Sequence, residues 1–255
     1  MKPFLAVIAH IQILAFDILR ILAKHRNGVV IAPYVTWVLF ASACHATFVV
    51  GIIDTNRIIL AADSLVKGSE GGTVTQCKIH TQQKGCVFAI IGLRYKPETE
   101  FDSISRGFQA CKSGPSPMVK AIAFGNIVRA DLRKAMDYSR QHAPAIYKRD
   151  YEGRGVLDGL FSGFEGERPV IAISSFSLDQ AGELHERLIR VPDDAGNNIA
   201  MSGEQQAALS FLAKNPDWPT TDFPRLAKRL VELVIAEKPA NVGPPISILE
   251  ITSVR

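Results

Sequence analysis

The sequence predicts one layered α+β domain that follows an apolar N-terminal leader. Short β-rich runs come in pairs around turn residues, two long segments have helical periodicity, and the order along the chain is strands, helices, strands, helices, strand. No repeat, low-complexity tract or internal linker interrupts residues 47–255. The length of 255 residues and the 47% hydrophobic content exclude a disordered or collagen-like chain and fit one large domain.

The leader, residues 1–46, differs in composition from the rest of the chain. It holds 31 apolar residues, four basic residues and one acid, and so carries +3 of the total net charge of +4. The other 209 residues hold 25 basic and 24 acidic residues, a net charge of +1. A nearly neutral domain argues against a nucleic-acid partner.

The leader has the pattern of an export signal. Charged residues interrupt the apolar run 4–23, which favours an amphipathic or interfacial helix. A basic cluster at 24–26 and an apolar run at 28–46 follow, and the run ends in small residues suited to cleavage. We expect cleavage after Ala46, export to the periplasm or medium, and Thr47 as the new N-terminus. The alternative is a retained helical hairpin or membrane anchor that contacts lipid.

The first part of the domain reads as two β-hairpins. Residues 48–53 and 57–62 are β-rich and flank turn residues at 54–56. Residues 74–80 and 86–91 form the second predicted pair of strands. Their near-continuous apolar character is typical of a sheet that is covered on at least one face.

The middle of the chain predicts a long helix followed by a loop. Residues 118–140 have helical periodicity, whereas residues 147–167 are polar and contain five glycines, which favours a loop. The helix stripe expected to face the core consists of Val119, Ile122, Ala123, Ile127 and Ala130.

Five further patterns of regular structure occupy the C-terminal part of the domain. They are a hairpin of residues 169–176 and 183–191, a strand at 198–202, a helix near 203–214, an amphipathic helix at 222–236 and a final strand at 246–251. Asp222 is the predicted N-cap of the second helix.

The block Thr47 to Ile52, with Ile58 to Ser64, Lys78-Ile79 and Gly92, resembles the N-terminal half of proteasome β-type subunits. These belong to the N-terminal nucleophile (Ntn) hydrolase superfamily. The intervals match except that Asp63 to Lys78 is about one residue short, in a glycine-rich loop where a deletion costs little. The resemblance implies a four-layer αββα sandwich, in which helix layers cover two mainly antiparallel sheets.

The same resemblance implies the catalytic groups. Thr47 would be the nucleophile, and its freed α-amino group would be the base, since an amide nitrogen within the chain has no basicity. Lys78 would favour the neutral amine and the developing alkoxide, and Asp63 would pair with Lys78. The backbone N–H of Gly92 would stabilise the oxyanion.

The chain departs from the family pattern in two places. Phe48 follows the nucleophile where a small hydroxyl residue is common, and residues 239–245 lack the Asp and Ser expected before the last strand. Asn241 could replace a hydrogen bond there but not a charge. By contrast, Ser202-Gly203 matches a Ser-Gly pair of the family, which adds Ser202 to the expected site.

The resemblance thus implies a threonine hydrolase that cleaves peptide or other amide bonds and needs no cofactor. The resemblance also implies self-assembly into an oligomer. The alternatives are a noncatalytic proteasome-like subunit for assembly or binding, and a membrane-anchored protein in which Thr47 stays within the chain.

The three cysteines of the domain have two interpretations. Cys77 and Cys86 would face each other across the second hairpin, so they form a cross-strand disulfide or remain two half-buried thiols. In either case Cys111 is expected to be unpaired. Three scattered histidines at 80, 142 and 185 do not suggest a metal site.

Overall fold

The computed structural model describes residues 47–67, 73–82, 85–194, 196–215 and 222–253. The predicted leader therefore lies outside the described residues. Thirteen strands are described: β1 (Phe48–Asp54), β2 (Arg57–Ala62), β3 (Leu65–Lys67), β4 (Thr73–Thr75), β5 (Ile79–Gln82), β6 (Cys86–Gly92), β7 (Tyr95–Lys96), β8 (Phe101–Asp102), β9 (Gly155–Glu165), β10 (Arg168–Leu178), β11 (Leu184–Val191), β12 (Ile199–Gly203) and β13 (Ser247–Thr252).

Five α-helices complete the described part of the chain. They are α1 (Ser103–Ala110), α2 (Pro117–His142), α3 (Pro144–Asp150), α4 (Gln206–Lys214) and α5 (Phe223–Glu237). Side chains cap the starts of α2 and α5, and the cap at Asp222 was predicted from the sequence. Ser116 Oγ accepts a hydrogen bond from Met118 N–H at α2, and the Asp222 carboxylate accepts one from Arg225 N–H at α5.

Two large antiparallel sheets form the centre of the domain. The first has the order β12-β1-β2-β13, and the second has the order β11-β10-β9-β6-β5. The predicted hairpin of β1 and β2 is present, with Val49 opposite Ala62 and Asp54 opposite Arg57. The predicted hairpin of β10 and β11 is present as well.

Apolar side chains fill three layers between these elements. Val49, Leu60 and Leu160 belong to the layer between the two sheets. Phe48 and Leu230 belong to the layer between the first sheet and the helices α4 and α5. A third layer packs α1 and α2 on the outer face of the second sheet. The predicted αββα sandwich is therefore confirmed.

The segment 147–167 is not the expected loop. Residues 144–150 form α3, and residues 155–165 form β9, a central strand of the second sheet. Gly159, one of the glycines that suggested a loop, has a packing reason instead, because a side chain there would lie 2.4 Å from the ring of Phe124.

The predicted core stripe of α2 is correct only in part, since Ala123 and Ile127 pack against the core and its other residues do not. Val119 and Ile122 are each 44% exposed, whereas Phe124, Val128 and Leu132 are fully buried. Phe124 decides the rotation of the helix, since its ring fits against the bare backbone of Gly159 in β9. The side chains of the expected stripe differ too little in bulk from the buried set for periodicity alone to choose between them.

Two expectations near the second hairpin need correction. Residues 76–78 lie outside any strand, and β5 starts only at Ile79. The disulfide joins Cys86 to Cys111, so Cys77 is the free and exposed thiol. The unexpected partner is explained by α1, a helix that the sequence did not predict and that brings Cys111 beside the start of β6.

Candidate active site

Thr47 lies at the edge of the layer between the two sheets. It is buried, it immediately precedes β1, and its carbonyl oxygen accepts a hydrogen bond of 3.0 Å from Glu204 N–H. Side chains alternate along a strand, so Thr47 lies on the same face as Val49, which packs between the sheets. The predicted nucleophile thus points toward the second sheet.

Asp63 connects Thr47's neighbour to Lys78. Asp63 Oδ1 accepts a hydrogen bond of 2.7 Å from Phe48 N–H, and Asp63 Oδ2 forms an ion pair of 2.7 Å with Lys78 Nζ. Both side chains of the ion pair are fully buried. Asp63 follows β2 of the first sheet and Lys78 precedes β5 of the second, so the ion pair joins the two sheets at Thr47.

The Lys78 side chain has a lowered pKa. Burial lowers the pKa of Lys78 to about 8, because a charged amine is poorly solvated in the interior. The carboxylate of Asp63 opposes this effect, and the guanidinium of Arg94 adds a smaller lowering. Lys78 is therefore cationic at neutral pH but close to its titration, which suits a group that tunes a neighbouring amine.

Gly92 ends β6, the strand that pairs with β5, and β5 begins directly after Lys78. Leu93 N–H donates to Val156 O, so the alternation of an antiparallel ladder directs the N–H of Gly92 away from β9. That side of β6 pairs with β5, which begins only at Ile79, opposite Ala89. The β5–β6 ladder therefore ends before it reaches the N–H of Gly92. Gly92 has a φ of +97°, and a Cβ would lie 2.2 Å from Val156 O, so only glycine fits.

Ser202 lies next to Thr47 in the first sheet. It pairs with Val49 in the β1–β12 ladder. Two residues further along each strand, Glu204 N–H donates to Thr47 O. Thr47 and Ser202 are therefore diagonal neighbours on one face, a relation that corresponds to about 7–8 Å. Gly203 follows Ser202 at the end of β12, and a Cβ on Gly203 would lie 1.8 Å from Thr47 O.

Sequence reasoning missed Asp158, a further acidic residue of the site. Ser202 Oγ donates a hydrogen bond to Asp158 Oδ2. Asp158 lies in β9 and faces the layer between the sheets, as Leu160 does two residues later. The apolar pairs Val156-Leu157 and Leu160-Phe161 were the available signal for a strand, but the glycines of the segment favoured a loop.

The segment that lacks the expected Asp and Ser contacts Asp63. Gly243 N–H lies 3.4 Å from Asp63 Oδ2, and Gly243 O accepts a hydrogen bond of 3.1 Å from Ser64 N–H. Asn241 is partly buried, and its N–H donates to Lys238 O. These backbone contacts support Asp63 but bring no carboxylate toward Thr47.

The described residues contain no cluster of His, Cys, Asp and Glu that could hold a metal ion. Nor does any helix among them combine the length and apolar character that a bilayer crossing requires. The arrangement thus consists of a threonine, a buried Lys–Asp pair, a backbone donor and a Ser–Asp pair.

No protein-family model and no curated protein sequence matches the chain. Solved structures, by contrast, do match it. The chain is similar to Anbu (ancestral beta-subunit) from Yersinia bercovieri, with a TM-score of 0.52, 15% identity, and coverage of 81% of this chain and 82% of that chain. It is also similar to the helical assembly of the Anbu complex from Pseudomonas aeruginosa, with a TM-score of 0.49, 16% identity, and coverage of 81% of each chain.

A third similar structure is BPH from Thiobacillus denitrificans in complex with epoxomicin. Its TM-score is 0.43 at 18% identity, and the alignment covers 81% of this chain and 98% of that chain. Of these three, the Yersinia bercovieri structure carries the argument, and at 15% identity it shows a shared fold. The layers described above are thus those of a proteasome-like Ntn fold.

Proposed function

We propose that this chain, which has the proteasome-like Ntn fold, is an N-terminal threonine hydrolase that cleaves peptide or other amide bonds. One observation carries the proposal: the buried carboxylate of Asp63 holds both the N–H of Phe48 and the ammonium of Lys78, each at 2.7 Å. Burying a charged pair has a high cost in desolvation free energy, so this arrangement next to Thr47 favours a chemical role over a structural one.

The reaction starts once the bond between Ala46 and Thr47 is cut. The freed α-amine takes the proton of the Thr47 hydroxyl, and Oγ1 attacks the substrate carbonyl carbon. The oxyanion lies against the N–H of Gly92. Collapse expels the amine product, which takes up the proton, and leaves an ester on Oγ1. Water then attacks this acyl-enzyme, releases the acid and restores the threonine.

Lys78 sets the proton balance of this cycle. Its positive charge disfavours a second positive charge on the α-amine, so a larger share of the amine is neutral and basic at neutral pH. The same charge stabilises the alkoxide as it forms. Asp63 keeps Lys78 cationic against the lowering of its pKa by burial.

Removal of residues 1–46 would activate the enzyme, because the nitrogen of Thr47 is an unreactive amide before the cut. We place that step in an exported protein. The leader pattern supports export, and the disulfide between Cys86 and Cys111 fits an oxidising compartment. A membrane anchor in the leader remains the competing proposal, and self-assembly is proposed on the family resemblance.

The test combines the mass of the natural protein with one substitution. We expect the intact mass to correspond to a chain that starts at Thr47. The Thr47→Ala variant should then lose all turnover of fluorogenic peptide amides while keeping its melting temperature. Retained turnover in this variant would refute the threonine mechanism.

A noncatalytic subunit is the second candidate function. The observation in its favour is that the described contacts of residues 239–245 near the site are backbone groups of Gly243 where a carboxylate is expected. A processed chain that binds peptides but shows the same absence of turnover as Thr47→Ala would support this candidate.

A further inference from the structure

The Ser202–Asp158 hydrogen bond spans the space between the two sheets. Ser202 is 3% exposed and Asp158 is partly exposed, and they lie 44 residues apart in the chain. Asp158 also lies directly opposite Ile91 in the β6–β9 ladder, one residue from Gly92. The carboxylate therefore lies between the strand next to Thr47 and the strand that ends in the proposed oxyanion donor.

The direction of this hydrogen bond fixes what Ser202 can offer to Thr47. A serine hydroxyl has one proton to donate and two lone pairs that accept. Because Asp158 takes the proton, the lone pairs of Ser202 Oγ remain for a donor. The N–H bonds of a free α-amine on Thr47, the diagonal neighbour of Ser202, are such donors.

We propose that Asp158 is a positioning residue for the α-amine of Thr47, through Ser202. It directs the Ser202 lone pairs at the amine N–H, so that the amine lone pair is left facing the Thr47 hydroxyl. A carboxylate from β9 would thereby supply the negative charge that residues 239–245 lack. The inference rests on the proposed function.

The surroundings of Asp158 act on its charge in opposite directions. The pKa of the Asp158 carboxyl lies above its ordinary value, because burial raises it more than the hydrogen bonds from Ser175 and Ser202 lower it. Ser175 lies opposite Asp158 in the β9–β10 ladder. Two hydroxyl donors favour the ionised carboxylate, which is the form that can hold the Ser202 proton.

The experiment compares Asp158→Asn, Ser202→Ala and the double variant in the full chain, with processing to Thr47 checked by intact mass. We expect Asp158→Asn to lower kcat for a fluorogenic peptide amide about 10- to 100-fold, with KM nearly unchanged. The double variant should be no less active than the less active of the two single variants, because the two residues act as one unit.

A second readout does not depend on turnover. The pKa of the Thr47 α-amine is followed by NMR in protein labelled with ¹⁵N-threonine. Loss of the carboxylate should move this pKa to a lower value, since a nearby negative charge favours the protonated amine. Asp137→Asn makes the same chemical change at a half-exposed position of α2 and should leave kcat and the amine pKa unchanged.

The outcomes separate the two proposals. If Thr47→Ala is inactive while Asp158→Asn keeps its kcat and its amine pKa, the role of Asp158 is overturned and the proposed function stands. Losses that multiply in the double variant overturn it too. If Thr47→Ala stays active, or the chain keeps residues 1–46, both proposals are overturned.

Ser202 provides the test if Asp158→Asn fails to fold. Ser202→Ala should then lower kcat and move the amine pKa, whereas Ser202→Thr keeps a hydroxyl and should retain both. Equal behaviour of these two variants would overturn the inference.

Discussion

Asp63 makes several contacts through one carboxylate. Besides the N–H groups of Leu65 and Gly243, its oxygens hold the N–H of Phe48, next to the predicted nucleophile, and the ammonium of Lys78. The geometry of Thr47 and the charge of Lys78 thus depend on one carboxylate. The role of this carboxylate can be tested by a substitution that keeps the size of the side chain but removes its charge.

For Asp63→Asn we expect a change in both activity and stability. The Asp63 carboxylate raises the pKa of Lys78, so without it this pKa falls below about 8. Turnover that needs cationic Lys78 should then be lost at a lower pH, and the pH profile of kcat/KM shows the alkaline limb moving down. Loss of one charge of this buried ion pair should lower the free energy of unfolding by about 3–5 kcal/mol.

The control for this prediction lies at the other end of the same hairpin. Asp54 pairs with Arg57 at 2.8 Å on a partly exposed surface, so Asp54→Asn should leave the alkaline limb unchanged and affect stability little. An alkaline limb that moves equally in both variants would contradict the assignment to Lys78.

The sequence was sufficient for residues whose spacing along the chain reflects their spacing in the site. Thr47, Asp63 and Lys78 lie near the ends of neighbouring strands, so fixed intervals bring them together. Asp158 could not be placed in this way, since its contact with Ser202 joins two sheets whose packing no local pattern encodes.

At the scale of elements, helix α2 shows where periodicity stops being informative. Periodicity predicted its length within a few residues, and in the structure Ser116 caps the helix and Pro117 starts it. Its rotation was not predicted, because the deciding contact is between Phe124 and a glycine of a distant strand. The capping of a helix is local, but the choice of its buried face depends on its neighbours.

Strand β6 and helix α1 are joined by the disulfide of Cys86 and Cys111, which closes a loop with a sequence separation of 25 residues. A loop of this length corresponds to about 3 kcal/mol of stabilisation in the chain-entropy view. We expect Cys111→Ser to lower the free energy of unfolding by about that amount, measured by denaturant titration without reductant.

Cys77→Ser is the matched variant for this measurement, since Cys77 is free and exposed. It should unfold at the same denaturant concentration as the unmodified chain. Equal stability of Cys111→Ser and the unmodified chain would show that the disulfide does not stabilise the fold.

At the scale of the whole molecule, processing should change the charge as well as the length. Loss of residues 1–46 takes the formal net charge from +4 to +1. We expect the natural protein to bind a cation exchanger at neutral pH more weakly than the uncut chain does. Elution at the position of the uncut chain, with the corresponding intact mass, would contradict cleavage after Ala46.

The layered architecture followed from the family resemblance more than from any single element. The segment 147–167 was misassigned as a loop, yet the order of the remaining strands and helices still fitted a sandwich. The predicted hairpins β1–β2 and β10–β11 lie one in each sheet, and β9 completes the second sheet.

Two polar contacts of the site cross from one sheet to the other. They are the ion pair of Lys78 with Asp63 and the hydrogen bond of Ser202 with Asp158. Each sheet alone holds only half of the groups in the proposed mechanism. The turnover expected from that proposal therefore depends on how the two sheets pack against each other. We expect solvents, ligands or distant substitutions that shift one sheet against the other to abolish this turnover while the secondary structure stays intact.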